Sequence, residues 1–261
     1  MRETFRGVRF YVHGERGPWV VFSHATGADH DSFRPQVEML AGRGWRVLTW
    51  DAPGHGASPR TAGAFEIGEL ADLLAALIRH VAGGPVMLVG HSLGGYLSQH
   101  VVLRHPGLVR GLAGLGCTSV TLPPPRRQIA VLRLSGLLLQ VCPPPLRRTL
   151  IARTGRARPP TRRYLRRAVT RSSSAGLARA WRAVTRSLRD RPDLRLPCPL
   201  LVAHGEYDRT GIIAAAAPLW AEHQRGGFEI IPEAGHYANL DNPAYVNDML
   251  SRFLDAAAQA C

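Results

Sequence analysis

The chain has 261 residues, enough for one large α/β domain or one domain carrying an insertion, and 45% of them are apolar, which excludes disorder as the default. The formal charge is +14, and all 33 basic residues are arginine. Residues 1–12 hold no apolar stretch with a small-residue cleavage site, and the longest apolar runs fall short of the roughly 20 residues of a membrane span, so a soluble, cytoplasmic protein is expected.

The first half of the chain alternates between two hydrophobic periods. Residues 8–12 and Trp19–Ser23 read as strands joined by the turn-rich His13-Gly14-Glu15-Arg16-Gly17-Pro18. A short helix is expected over 33–40, stopped at Gly42. An apolar strand over Arg46–Trp50 follows, closed by Asp51-Ala52-Pro53-Gly54. Over 65–81, Leu70, Leu73, Leu74, Leu77, Ile78 and Val81 fall at helical spacing, and Gly83-Gly84 supplies a C-cap. Residues 85–89 are continuously apolar, as a strand buried on both faces would be. A helix over Leu93–Arg104 stops at Pro106, and Val109–Leu115 is the next strand.

The character then changes. Residues 121–197 hold Pro123-Pro124-Pro125, Pro143-Pro144-Pro145 and Pro159-Pro160, with arginine-rich helical pieces between and no strand. This segment carries 19 arginines against Asp190 and Asp193, a net +17, while the rest carries 14 arginines against 17 acids, a net −3. Alternation resumes with strands over 200–204 and 228–231 and helices over 212–223 and 243–258, the last opened by Asn242 as cap and Pro243 at its first position. Strands alternating with helices imply an α/β fold with a mostly parallel central sheet and helices on both faces. The core is expected over 1–120 and 198–261, with 121–197 as an inserted, all-helical cap.

Gly90-His91-Ser92-Leu93-Gly94-Gly95 lies directly after an apolar strand and directly before a helix. That is the context in which G-x-S-x-G forms a tight turn that exposes a nucleophilic serine. The glycines relieve crowding against neighbouring backbone, and the helix start lends the Leu93 N–H to a developing oxyanion. A serine hydroxyl needs a base to take its proton. His236 meets the positional requirement: it follows the 228–231 strand through Pro232-Glu233-Ala234-Gly235 and precedes the final helix. His91 adjoins the serine and faces the wrong way, and His80, His100 and His105 fall in or beside helices. The base needs an acid to fix its tautomer. Asp208, in His204-Gly205-Glu206-Tyr207-Asp208 after the 200–204 strand, is favoured over Glu206 because it clears the strand end. The order Ser92, Asp208, His236 is the one expected for such folds.

On these motifs the sequence resembles the α/β-hydrolase superfamily, in the branch that holds esterases, lactonases, epoxide hydrolases and C–C bond hydrolases. The resemblance covers residues 8–119 and 200–258. Ser23-His24-Ala25-Thr26-Gly27 stands where the family has its oxyanion loop, usually beginning His-Gly, with Ala25 here in place of the glycine. The resemblance implies the Thr26 N–H as second oxyanion donor. Asp51-Ala52-Pro53-Gly54-His55-Gly56-Ala57-Ser58 is similar to the family's structural D-x-x-G-x-G-x-S loop, and the arginine-rich insertion occupies the place of its cap. Members with epoxide or haloalkane chemistry commonly use an aspartate nucleophile, so Ser92 points to acyl transfer and hydrolysis of a carboxylic ester, lactone or thioester, with no cofactor. An acyltransferase, a cyclase or a carrier-protein or CoA thioesterase would form the same acyl-enzyme, and a non-catalytic binding module would keep the fold alone.

His24, Asp29, His30 and Asp31 cluster in one loop, but their spacing fits no metal motif, and no metal is expected. Asp29 and His30 read as solvated loop residues, with the mouth of a pocket as their other reading; Tyr237 reads as packing. Cys117, Cys142, Cys198 and Cys261 form no CxxC pair and read as free thiols. The basic insertion reads as a solvated surface or as an electropositive lid for an anionic substrate or an acidic carrier protein. No nucleic-acid partner is expected, since no recognition fold is present.

Overall fold

The computed structural model describes residues 2–59, 66–122, 158–171, 174–188 and 193–259, with single positions between 125 and 146. Eight strands form one sheet: β1 (Arg2–Phe5), β2 (Val8–His13), β3 (Trp19–Ser23), β4 (Arg46–Trp50), β5 (Val86–His91), β6 (Val109–Leu115), β7 (Leu200–Gly205) and β8 (Gly227–Ile231). Their spatial order is β1-β2-β4-β3-β5-β6-β7-β8. β1 and β2 pair antiparallel, as do β2 and β4, and every other neighbour is parallel. The helices are α1 (Arg34–Gly42), α2 (Ile67–Val81), α3 (Leu93–Arg104), α4 (Pro159–Arg171), α5 (Ser174–Ser187), α6 (Ile213–Gln224), α7 (Ala238–Asp241) and α8 (Pro243–Gln259).

The sheet is buried on both faces, because successive apolar residues of its central strands point to opposite sides. In β3, Val21 joins a cluster with α2, α3 and α6, while Val20 and Phe22 join a cluster with α1 and α8. In β5, Val86 and Leu88 take the first side, and Met87 and Val89 the second. This is the double covering expected from the continuous apolar runs. Two expected caps are formed. Gly83 follows α2 at φ 68, and the Asn242 side chain accepts the Tyr245 N–H at 3.3 Å at the start of α8.

Two differences from the sequence reading have plain causes. The strand over Arg2–Phe5 has no alternation to betray it; it is an exposed edge strand held by pairing, Phe5 against Val8, across Arg6-Gly7 with φ 45 and 82. Two successive positive φ values match the hairpin turn that follows strand twist. A short 3-10 turn, His30–Phe33, precedes α1, which therefore begins at Arg34; the Asp29 side chain caps it through the Asp31 N–H. The expected helical character of 121–197 is found in α4 and α5. Most of its remainder, and the expected start of α2 at residue 65, lie outside the described residues. No helix among the described residues is long and apolar enough to cross a membrane.

Chain winding changes direction between β3 and β5, which lie side by side with β4 outside β3. Such a switch point opens a crevice at the carboxyl ends of the two strands. Register pairs Ser23 with Gly90, so the loop leaving β3 and the turn leaving β5 emerge next to each other.

Candidate active site

Every residue of β5 is buried, and the strand runs straight into α3. The turn between them is Ser92 alone, at φ 51 and ψ −114. A side chain held in the left-handed region costs about 1–3 kcal/mol and persists only where the surroundings fix it. Here the Ser92 N–H donates to Leu115 O at 2.8 Å, and Ser92 O accepts from Gly95 N at 2.9 Å and Tyr96 N at 3.1 Å. The flanking glycines are demanded by contact. A Cβ on Gly94 would lie 1.9 Å from Ser23 O, and one on Gly90 2.3 Å from Gly94 O. Gly95 has its own reason, Cys117 Sγ at 2.4 Å from such an atom. The Ser92 hydroxyl makes no capping bond and, half-buried, faces a cavity also lined by Thr26, Leu93, Tyr96, Trp181 and Ile212. Leu93 is the first residue of α3, so its N–H has no acceptor within the helix.

The loop leaving β3 turns over Ala25–Ala28, closed by Ala28 N–H to Ala25 O at 3.1 Å. Ala25 stands where a glycine was expected, without strain, because the one positive φ of this turn belongs to Gly27 at 78. His24 anchors the turn. Its Nδ1–H donates to Ala25 O at 2.8 Å and its Nε2 accepts the Ala52 N–H at 3.0 Å, which fixes one neutral tautomer. Burial lowers its pKa, in keeping with that neutral form. Among the described residues neither Thr26 N–H nor Leu93 N–H donates to a protein acceptor, and both residues line the cavity beside Ser92.

Asp208 and His236 leave the ends of β7 and β8. A Cβ on Gly205 would lie 2.1 Å from Gly235 O, so only glycine lets these two loops touch. His236 Nδ1–H donates to Asp208 Oδ2 at 2.8 Å, and both side chains are buried. Burial alone would raise the Asp208 carboxyl. The charge and hydrogen bond of His236 and the bonds from Thr210 outweigh it and hold the pKa down to about 2. Glu206, the competing acid, is exposed and accepts the Glu233 N–H instead. The end of β6 touches both halves of the arrangement. Leu115 O binds the Ser92 N–H, and a Cβ on Gly116 would lie 3.2 Å from the His236 ring. With Nδ1 protonated toward Asp208, His236 Nε2 is left as an acceptor. The Ser92 hydroxyl makes no hydrogen bond to it among the described residues, and such bonds commonly tighten only with substrate bound.

His91, set aside as a base, is buried and donates Nε2–H to the main-chain O of His236 at 2.9 Å. A histidine at the variable position of the motif carries no sequence signal for that contact. The D-x-x-G-x-G-x-S loop is structural, as expected. Asp51 Oδ2 accepts the Ala57 N–H at 2.9 Å, and Ser58 Oγ donates to Asp51 O at 2.6 Å. A Cβ on Gly56 would lie 2.3 Å from the Asp51 carboxyl carbon.

Neither Asp29 nor His30 lines the cavity beside Ser92, and His30 is only partly exposed. Asp29 is 1% exposed and meets Tyr164 and Arg171 of α4. His30 stacks on Tyr11 at 3.6 Å and donates Nδ1–H to Asp51 Oδ1 at 2.9 Å. Tyr237 is buried, as a packing residue should be, and its hydroxyl also donates to Thr26 O at 3.3 Å. The insertion is tied down by opposite charge elsewhere too: Arg158 pairs with Glu233, and Arg186 with Glu66 at 3.0 Å.

Known proteins bear on this arrangement. The chain is 34% identical over 102 residues to a 2-(acetamidomethylene)succinate hydrolase of Mesorhizobium japonicum, a stretch of 39% of this chain and 36% of that one. It is 43% identical over 98 residues to a pimeloyl-[acyl-carrier protein] methyl ester esterase of Chromobacterium violaceum, 38% of this chain and 36% of that one. The chain thus spans little more than a third of the length of these curated relatives. An esterase structure from Thermogutta terrifontis superposes with a TM-score of 0.83 at 23% identity, over 96% of this chain and 93% of that one, which speaks for the fold. A sequence model of the alpha/beta hydrolase family matches residues 20–249, from β3 through the turn of His236 and into α8, and the chain belongs to that family.

Proposed function

We propose that the protein is a serine hydrolase that cleaves a carboxylic ester, lactone or thioester through an acyl-enzyme. The observation that carries this reading is Ser92 at φ 51 between a buried strand and a helix start, its hydroxyl open to a cavity. Ser92 Oγ attacks the acyl carbon and its proton passes to His236 Nε2. Asp208 holds the imidazole by Nδ1 and stabilises the cation formed. The negative oxygen settles against the Leu93 and Thr26 amides, where each donor is worth on the order of 10²–10³ in turnover. The tetrahedral intermediate collapses, the leaving alcohol or thiol takes the proton from His236, and water repeats the sequence to free the acid. These steps need no cofactor. The described cavity wall is apolar or hydroxylic, with Trp181, Ile212 and Ile213 beside Thr118 and Thr210, which suits an uncharged acyl group. The free thiols of Cys117 and Cys198 fit a cytoplasmic location.

Intact mass after exposure to a fluorophosphonate probe tests this reading. A single adduct on wild type that is missing from Ser92→Ala is expected. A folded wild type that takes no adduct would sink the acyl-enzyme and favour a binding module.

A second reading rests on α4. Arg162, Arg163, Arg166 and Arg167 are exposed on one face, with no acidic partner among the described residues. A carrier-protein or CoA thioesterase, or an acyltransferase, would use such a face to attract an anionic partner. Turnover of CoA-linked substrates that falls steeply with salt, with poor activity on neutral esters, would favour it.

A further inference from the structure

Asp29 is the residue by which the chain leaves the Thr26 turn, and its carboxylate is buried. Oδ1 accepts the Tyr164 hydroxyl at 2.8 Å and the Asp31 N–H at 3.2 Å, and Oδ2 faces Arg171 Nη1 at 3.2 Å. The Asp29 N–H in turn donates to the Tyr164 hydroxyl oxygen at 3.1 Å. One phenol therefore closes on both the main chain and the side chain of a residue 135 positions away. Burial and the Asp29 charge raise the Tyr164 pKa well above its usual value, so the phenol stays a donor. Leu165, the next residue, packs in a cluster with Ala25 and Ala28 of the turn and with Tyr237, which follows His236. The same helix thus rests on the loop of Thr26 and on the loop of His236.

An oxyanion donor must sit about 2.7–3.1 Å from the developing charge, and placement errors of about 1 Å cost on the order of 10²-fold. The Ala25–Ala28 turn closes on itself with a single main-chain bond, so its placement depends on what packs against it. Building on the hydrolase reading above, we propose that Tyr164 and Arg171 are positioning residues that fix the Thr26 amide through Asp29, so that the seated insertion completes the oxyanion hole. The Arg171 side chain is half exposed, whereas the carboxylate it meets is not. Losing the arginine leaves a buried charge that must find water, and the turn moves to admit it.

The test compares Tyr164→Phe and Arg171→Gln with wild type and with Thr170→Ala, a change at another exposed position of the same helix. Four quantities are read: kcat and KM on p-nitrophenyl acetate, amide hydrogen exchange over residues 25–33, and the melting temperature. For the two positioning variants kcat should fall about tenfold with KM within about twofold, the pattern of an interaction made in the transition state. Exchange over 25–33 should quicken, and Thr170→Ala should match wild type in both kinetics and exchange. Unchanged exchange, or faster exchange with unchanged kcat, overturns the proposal. So does a joint loss of kcat, KM and melting temperature in Arg171→Gln, which would mean general loosening; that variant also serves if Tyr164→Phe fails to fold. A wild type that neither turns over the ester nor takes the fluorophosphonate overturns the hydrolase reading itself, whereas a working wild type with unaffected variants overturns this inference alone.

Discussion

His91 donates its Nε2–H to the main-chain carbonyl of His236 at 2.9 Å, so the residue before the candidate nucleophile holds the candidate base. Burial, then the nearby His236, lowers the His91 pKa to about 3, which keeps it a neutral donor throughout the working range.

Replacing His91 by Phe would leave that carbonyl buried without its donor. The expected loss is about 1–3 kcal/mol of stability, the usual penalty for such an orphan, read as a lower urea midpoint. Turnover should fall with it, because the imidazole of His236 rides on the released backbone. His91→Gln keeps an N–H in the vicinity and should lose less in both measurements.

Gly94→Ala places a methyl 1.9 Å from the Ser23 carbonyl, and backbone on both sides has nowhere to go. Destabilisation of about 3 kcal/mol, the upper end for overpacking, is expected by thermal denaturation. Gly107→Ala is the matched control: a Cβ there meets nothing within 4 Å and its φ is not positive, so its melting temperature should stay near wild type.

Asp208→Asn should leave the fold standing and remove the group that fixes the His236 tautomer. A kcat lower by roughly 10⁴ with KM little changed is the expected outcome of steady-state kinetics on an activated ester. A loss of less than about tenfold would shift the acid's role to another residue, Glu206 first.

Acid sensitivity follows from two buried carboxylates. Asp208 is held down to about 2, and Asp51 below its usual 3.8, because bonds from His30 and the Ala57 N–H outweigh the upward push of burial. A carboxyl depressed in the folded state adds stability that is fully present above its unfolded pKa. That stability is lost as pH falls through the folded value. Denaturant midpoints should therefore drop as pH falls from about 4 toward about 2. Asp51→Asn should be less stable at pH 7 by about 2 kcal/mol and show a shallower acid limb, since one of the two linked protons is gone. An unaltered acid limb in that variant would place the proton uptake elsewhere.

Much of the fold and of the candidate site was legible in the chain itself. Continuous apolar runs mark the strands because a parallel sheet is covered on both faces, and β3, β5 and β7 are recognisable on that ground. Ser92, Asp208 and His236 could be singled out because each sits at a strand's carboxyl end, where local turn chemistry shows in Gly90, Gly94, Gly205 and Gly235. The edge strand β1 was not legible, since an exposed strand needs no hydrophobic pattern and is held by pairing alone.

Only tertiary structure decided the rest, and the physical reason is distance along the chain. Asp29 looks like any loop acid until Tyr164 and Arg171 arrive from 135 and 142 residues away to bury it. His91 looks like a filler until β8 brings the carbonyl of His236 over it. The arginines of the insertion read as one charged block, yet the fold sorts them: Arg158, Arg171 and Arg186 onto acids outside the insertion, Arg162, Arg163, Arg166 and Arg167 toward solvent. Local sequence sets which conformations a residue can adopt, but whether a polar group is satisfied, buried or exposed depends on partners that only the folded chain assembles.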